Sequence, residues 1–322
     1  MQIGDHHING KVLLAPMAGV SDRPCRSISH QYGAALATGE MVISDPKLWH
    51  TSKSQQRLDF SNNPGLISVQ IAGSDPKQMS LAARALHERG IQILDINLGC
   101  PAKKVCGAAS GSALLRDLPR VRAILEAVVG AVPIPVTLKT RTGWDAQTQT
   151  AAEVVQMADA IGIQAIALHG RTRAQHFNGE AEHDTLARLR ELTDLPLIAN
   201  GDIRSPLQAA RILQKTGADA VMIGRAAQGN PWLIQQTHQQ LSGQAMTSDI
   251  PDTERHQVIR SHVEQLHHFY GEFMGVRFAR KHLRWYLEAA GWDTATLQRF
   301  NTLETSEDQL TWLDAYSEAM AA

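Results

Sequence analysis

Cysteine is scarce in this chain: Cys25, Cys100 and Cys106 are the whole supply. An odd number this small excludes a disulfide framework and fits a reducing compartment. Cys100 and Cys106 lack zinc-ligand spacing and no second Cys/His pair completes a site, so no metal is expected. No apolar run approaches the roughly 18 residues that cross a bilayer, so no membrane partner is expected either. The opening Met1-Gln2-Ile3-Gly4-Asp5-His6-His7 has neither a basic stretch nor an apolar stretch of the export type, and the expected location is the cytoplasm. An excess of one charge is missing too, with 31 Lys+Arg against 32 Asp+Glu. Residues 1–240 hold 24 cations against 20 anions and residues 241–322 hold 7 against 12. A polyanion would therefore have to be met by local patches, not by a global field.

What is present is a repeating pattern. Apolar segments recur at Val12–Ala15, Leu36–Thr38, Ile67–Ile71, Ile93–Ile96, Val136–Lys139, Ala165–Leu168, Leu195–Ala199 and Ala220–Ile223, each followed by Gly, Asn, Asp, Arg or Pro. Their spacing suits a strand, a loop and a helix, and continuous apolar strands imply burial on both faces. Asp75-Pro76 opens one intervening helix that Gly90 closes, and Ser205-Pro206 opens another that Gly217 closes. Together these predict an α/β fold, a (β/α)8 TIM barrel. A doubly wound sheet is the alternative, disfavoured because no Gly-x-Gly-x-x-Gly follows the first strand. The stretch Ile3-Gly4 to Ile8-Asn9-Gly10 reads as a hairpin closing the barrel floor. Ser242–Thr253 reads as a linker, after which the period becomes helical. Ile259, Val263, Leu266 and Tyr270 form one stripe, Val276, Ala279, Leu283, Tyr286 and Ala290 a second, and Trp312, Tyr316 and Met320 a third. The expected division is a barrel domain over 1–241, a linker over 242–252 and a small helical bundle over 253–322.

In a barrel the strand ends converge on one mouth. Leu98-Gly99-Cys100-Pro101 follows the run Ile93–Asn97, so a buried strand delivers a cysteine to a tight turn there. Free cysteine also packs well as a small hydrophobe, so position alone does not decide its role. Around it fall Pro16-Met17-Ala18, Gln70, Asn97, Lys139 with Arg141, His169 with Arg171, Asn200-Gly201-Asp202 and Gly224-Arg225. The last two loops suit a phosphate, because glycine admits close approach and Arg supplies a forked cation. Lys139, ending a buried strand, needs an anionic or electron-rich partner: a Schiff-base substrate, a flavin ring, or an acid such as Asp95 or Asp202. Arg277, Arg280, Lys281 and Arg284 form a stripe beside the apolar face of one tail helix, either a solvated face or a site for phosphate backbone.

The ordered set of motifs resembles one family. It comprises Leu14-Ala15-Pro16-Met17-Ala18-Gly19, Val69-Gln70-Ile71-Ala72-Gly73, Asp95-Ile96-Asn97-Leu98-Gly99-Cys100-Pro101-Ala102-Lys103-Lys104-Val105, Lys139-Thr140-Arg141-Thr142-Gly143-Trp144, His169-Gly170-Arg171-Thr172-Arg173, Asn200-Gly201-Asp202 and Gly224-Arg225-Ala226. These resemble the tRNA-dihydrouridine synthases, most of all the bacterial B-type branch. The resemblance implies FMN in the barrel mouth, NADPH (or NADH) as reductant and a D-loop uridine of tRNA, at tRNA position 17, as substrate, handled by a monomer. Hydride would pass from reduced FMN to uracil C6 and a proton from Cys100 to C5. Pro16, Met17, Ala18, Gln70, Lys139, Asn200, Gly201, Asp202, Gly224 and Arg225 would hold FMN, with His169 against it. Asn97, Arg141, Arg171, Arg173, Lys103 and the tail cations Arg277, Arg280, Lys281 and Arg284 would meet the tRNA at its elbow. The stretch Cys106-Gly107-Ala108-Ala109-Ser110 lacks the Asn or basic residue common in relatives, so this loop offers the tRNA less. Three other readings stay open: a barrel flavoenzyme acting on a small pyrimidine or enoate, a tRNA-binding module or folding helper without catalysis, and an aldolase using Lys139.

Overall fold

The computed structural model describes residues 1–293 and 295–321, with side chains as far as residue 317. A short antiparallel hairpin, β1 (Gln2–Ile3) and β2 (His6–His7), opens the chain. There follow β3 (Val12–Leu14), α1 (Arg23–Gln31), β4 (Leu36–Ala37), β5 (Val42–Ile43), α2 (Ser52–Arg57), β6 (Ser68–Ala72), α3 (Pro76–His87), β7 (Ile93–Leu98), α4 (Lys103–Gly107), α5 (Leu118–Val129), β8 (Val136–Arg141), α6 (Ala151–Ile161), β9 (Ala165–His169), α7 (Asp184–Arg190), β10 (Leu197–Asn200), α8 (Pro206–Thr216), β11 (Ala220–Ile223) and α9 (Trp232–Leu241). All pairings among β3 to β11 are parallel.

The nine strands close an eight-position barrel, because β4 and β5 belong to one crossing: β4 pairs with β3, β5 with β6, and Thr38 between them bridges to Ser68. The expected (β/α)8 barrel is therefore present, with each of its eight apolar segments carrying a strand. Val42–Ile43 was not among those segments, since two residues carry no readable period. Side chains of alternate residues fill the cylinder, where Ile3 and Ile8 of the opening hairpin pack with Leu13, Ile93, Ala165, Ile198 and Ala220. All five stand at or next to the starts of their strands, so the hairpin closes the floor and leaves the opposite end free. Helix punctuation also holds. Asp75 accepts the Gln78 N–H at 2.8 Å to cap α3, and Ser205 accepts that of Gln208 at 3.2 Å to cap α8.

The tail consists of α10 (Asp252–Ala290), α11 (Leu297–Thr302) and α12 (Ser306–Ala321). Gly271, at φ 73° and ψ 173°, interrupts α10, and its two limbs then pack together, with the His262 and His282 rings 4.7 Å apart. The two expected stripes face inward: Ile259, Val263, Leu266, Val276, Ala279, Leu283 and Tyr286 are buried. Of the third, Trp312 stacks on Tyr316 at 4.9 Å, and the Met320 side chain lies outside the described residues.

The tail core is shared with the barrel, since Ile28 and Tyr32 of α1 and Trp232 of α9 belong to the same buried cluster as Ile259, Leu283 and Phe300. Glu254 anchors that junction, accepting from the Tyr32 hydroxyl at 2.9 Å and the Trp232 indole N–H at 2.8 Å. Glu254→Leu strands both donors in an apolar setting and is expected to cost about 1–3 kcal/mol, whereas Glu254→Gln keeps an acceptor and most of the stability. Urea denaturation of the three proteins measures this.

Candidate active site

The C-terminal ends of the strands open on a cavity of about 660 Å³. Pro16, Met17 and Ala18 reach it from the turn after β3, Gln70 from β6, Lys139 from β8 and His169 from β9. Asn200, Gly201 and Asp202 line it at the end of β10, and Gly224 and Arg225 at the end of β11. Asn97, Cys100 and Arg141 complete the wall. The barrel thus brings together all eleven positions expected to hold a cofactor and the cysteine expected to act beside them. Sequence reasoning missed Phe177, 48% exposed at the rim, whose ring lies 4.5 Å beneath the Arg225 guanidinium and 6.1 Å from the His169 ring. It sits on an irregular loop, where no periodicity marks it.

One wall is built from amides. Thr137 Oγ1 donates to Asp95 Oδ1 at 2.6 Å, and Gln70 Nε2 donates to Asp95 Oδ2 at 2.6 Å. Gln70 Oε1 accepts from Asn97 Nδ2 at 2.6 Å, and Asn97 Oδ1 accepts the N–H groups of Gly99 (3.1 Å) and Cys100 (2.9 Å). Across the mouth Lys139 Nζ donates to Asn200 Oδ1 at 2.9 Å, and Asn200 Nδ2 to the Met222 carbonyl at 2.8 Å. Lys139 thus bonds an amide that was not among its expected partners, and neither Asp95 nor Asp202 takes its Nζ among the described residues.

Burial governs the protonation states. It pushes the Cys100 thiol up, so the cysteine keeps its proton at neutral pH. It brings Lys139 down to about 8, with Arg141 adding repulsion. His169 is held neutral by burial and by the charges of Lys139, Arg141, Arg171 and Arg225. A neutral acid beside a buried ammonium suits proton delivery and recognition of an electron-rich ring.

The loops after β10 and β11 suit a phosphate. The N–H groups of Gly201, Asp202 and Gly224 find no protein acceptor among the described residues. At Gly201, φ +120°, a Cβ would lie 2.6 Å from Ala181 Cβ, so only glycine keeps this approach open. Arg225 stands half-exposed beside them, 3.4 Å from Asp202.

The substrate contact expected of Arg171 needs correction, and that of Arg141 is limited to one end of its guanidinium. Arg141 is 2% exposed and spends its guanidinium on the carbonyls of Gly99 (2.7 Å), Thr172 (3.0 Å) and His176 (2.9 Å). Arg171 is 1% exposed, pairs with Asp202 at 2.5 Å and donates to the carbonyls of Asn178 and Gly179. Both hold loops in place; Arg171 has no N–H left for a polyanion, whereas Arg141 keeps its Nη2 N–H groups at the cavity wall. Arg173 stacks on Trp144 at 4.3 Å, and Lys103 is exposed at the start of α4, right after the Cys100 turn.

The tail stripe divides. Arg277 and Arg284 are exposed, Arg277 lying over Phe273 at 3.5 Å. Arg280 donates to the Leu303 carbonyl at 2.8 Å, and Lys281 donates to the Gly19 carbonyl. These last two are half-buried and each gives a donor to a backbone carbonyl, so they turn less of their charge outward.

Fold and site define a (β/α)8-barrel enzyme whose chemistry sits at the strand ends. The family profile described as Dihydrouridine synthase (Dus) matches residues 13–321, and the chain belongs to that family. It is 48% identical over 322 residues to tRNA-dihydrouridine synthase B of Vibrio cholerae, covering 100% of both chains. Against tRNA-dihydrouridine synthase B of Escherichia coli strain K12 it is 46% identical over 321 residues, again covering 100% of both. Among solved structures, histamine dehydrogenase from Rhizobium sp. 4-9 superposes with TM-score 0.57 at 13% identity, over 82% of this chain and 50% of that one. A variant of NCR from Zymomonas mobilis gives 0.54 at 16%, over 79% and 93%. At these identities the likeness is one of fold.

In protein stripped of cofactor, the lowered Lys139 pKa carries a stability cost with a defined sign. Unfolded lysine, near its usual 10.5, holds a proton that the folded state gives up above about 8, so stability rises with pH across that window. Lys139→Met removes the buried charge and is expected to be the more stable protein at pH 7 by about 1–3 kcal/mol. The gap should narrow as pH rises from 8 toward 10.5, which paired denaturant melts test.

Proposed function

We propose that this protein reduces the C5–C6 bond of a D-loop uridine in tRNA, at tRNA position 17, with FMN as resident cofactor and NADPH as reductant in the cytoplasm. The observation that carries the reading is the placement of Cys100: a thiol held neutral by burial, lining one cavity with Gln70, Lys139, His169 and the free N–H groups of Gly201, Asp202 and Gly224. That set fits FMN. The free N–H groups and Arg225 suit its phosphate, and Lys139 with the amides suits the carbonyl edge of its ring. Reduced FMN, when bound, supplies hydride to an electron-poor double bond. Cys100 holds the proton that C5 requires, and a thiolate could not serve, so burial here favours the reaction. Asn97 stands next to Cys100, and its second amide hydrogen meets only Met41 Sδ at 3.7 Å, a weak acceptor that a uracil edge would replace. Extracting the base from the tRNA elbow costs a few kcal/mol, offset by backbone contacts from Lys103, Arg173, Arg277 and Arg284. The domain reading is the same as at the outset: residues 1–241 carry the chemistry and 253–322 help to grip the tRNA.

The decisive assay incubates the yellow protein with NADPH and tRNA lacking dihydrouridine, and maps the product by mass spectrometry. A single new dihydrouridine at position 17 is expected. A flavin-loaded protein that leaves tRNA unchanged but reduces free pyrimidines or enoates would replace this reading with the small-molecule one. Cys100→Ala should lower turnover at least ~100-fold while flavin content and tRNA affinity persist. In the parent, the rate should stay flat through neutral pH and fall only on the alkaline side, as the raised thiol ionises. Arg284→Ala and Arg277→Ala should each weaken tRNA binding and lower the salt slope by about one.

A further inference from the structure

Asp95 belongs to the strand that delivers Cys100, yet it does not line the cavity. It is buried at 6% exposure beneath the amide wall, and both its oxygens are engaged at 2.6 Å, by Thr137 and by Gln70. A carboxylate tolerates only donors at these distances. Gln70 must therefore turn its NH2 toward Asp95, which leaves Oε1 facing Asn97. Asn97 must in turn present its NH2 to Gln70, which leaves its own Oδ1 for the N–H groups of Gly99 and Cys100. Reversing any link sets oxygen against oxygen or N–H against N–H.

We infer that Asp95 is a positioning residue: through Gln70 and Asn97 it sets the direction of two amides and thereby seats the backbone of the Cys100 turn. The role of the seated turn in proton delivery rests on the function proposed above, while the seating itself does not. The same chain leaves Gln70 a spare N–H, and the second N–H of Asn97 meets only the weak acceptor Met41 Sδ at 3.7 Å, so this wall greets a bound ring with donors and selects for carbonyl edges. Thr137 can reverse its hydroxyl to accept, so a neutral side chain at position 95 that still offers Gln70 an oxygen does the same work. The essential property is the acceptor. Charge is secondary, in keeping with the upward push that burial gives the Asp95 carboxyl.

Hydrogen exchange of the Gly99 and Cys100 amides in the flavin-free protein reads the seating independently of any activity. Asp95→Leu frees Gln70 to flip and should speed exchange at both amides at least tenfold, and Asp95→Asn should restore protection to within threefold of the parent. Gln70→Leu breaks the chain one link later and should match Asp95→Leu, which keeps the test intact if the latter does not fold. In the loaded enzyme, Asp95→Leu should slow reduction of bound uridine tenfold or more and leave the rate of flavin reduction by NADPH within twofold. Unchanged exchange in Gln70→Leu would overturn the inference. So would an Asp95→Asn protein as unprotected as Asp95→Leu, since the carboxylate would then act through its charge on Lys139. Altered exchange with no tRNA product from the parent would keep the seating and remove the proposed function.

Discussion

The turn that presents Cys100 depends on one carboxamide. Asn97 ends a strand whose backbone is committed to its neighbours, and its Oδ1 collects two N–H groups that the turn would otherwise bury unpaired. The turn is gripped from its other side as well, where the Cys100 carbonyl accepts from the Ser112 hydroxyl at 2.9 Å and the Ser112 N–H at 3.2 Å, and the Gly99 carbonyl accepts from Arg141. Every polar group of the turn's backbone is thus given a direction by a rigid element, which is how a loop can hold a reacting atom steady. The thiol is met by the Ala102 backbone N–H and keeps its own proton for chemistry.

The tail reaches the same mouth by a second polar cluster. Tyr270 donates to Asp22 Oδ2 at 2.9 Å, and the Asp22 side chain also caps α1 through the Cys25 N–H at 2.9 Å. Lys281 meets the Gly19 carbonyl, and Glu40, pinned by Arg57 at 3.0 Å, accepts the Gly19 N–H at 2.7 Å. The turn carrying Pro16, Met17 and Ala18 is therefore clamped between a barrel carboxylate and a tail ammonium. Burial raises Asp22 to about 6, so this clamp holds a carboxyl that is costly to ionise and is stabilised by donors on both sides. The helical tail thus braces the turn behind the cavity as well as offering a candidate RNA surface.

Much of this was legible in the sequence, for physical reasons that differ by element. The barrel was readable because strands buried on both faces must be apolar throughout, while their ends must turn polar where the cylinder opens. The residues at those ends, Gln70, Asn97, Lys139, His169 and Asn200, were readable for the same reason. Arg171 misled because a cation in such a place looks like a ligand for an anion. Only the folded chain shows that the Asn178 and Gly179 carbonyls and Asp202 already claim it, while Arg141 gives its Nε and Nη1 to the Gly99, Thr172 and His176 carbonyls and keeps Nη2 at the cavity wall. Phe177 was silent because it sits on an irregular loop, and the closure was silent because Val42–Ile43 is too short to show a period.

The division of the tail stripe follows from geometry that a one-dimensional spacing hides. Residues at i, i+3, i+4 and i+7 share a face of a straight helix, but α10 is doubled at Gly271 and its second limb is wedged between the barrel mouth and α11. Lys281, closest to the barrel, is drawn onto Gly19, and Arg280 onto Leu303. Arg277 and Arg284 lie at the edges of that wedge and keep their charge in solvent. A net-acidic tail thus spends half of this stripe on attaching itself to the barrel and offers the other half outward. Its contribution to any RNA contact is set by these two guanidiniums and their aromatic neighbour Phe273, not by the overall charge of the segment.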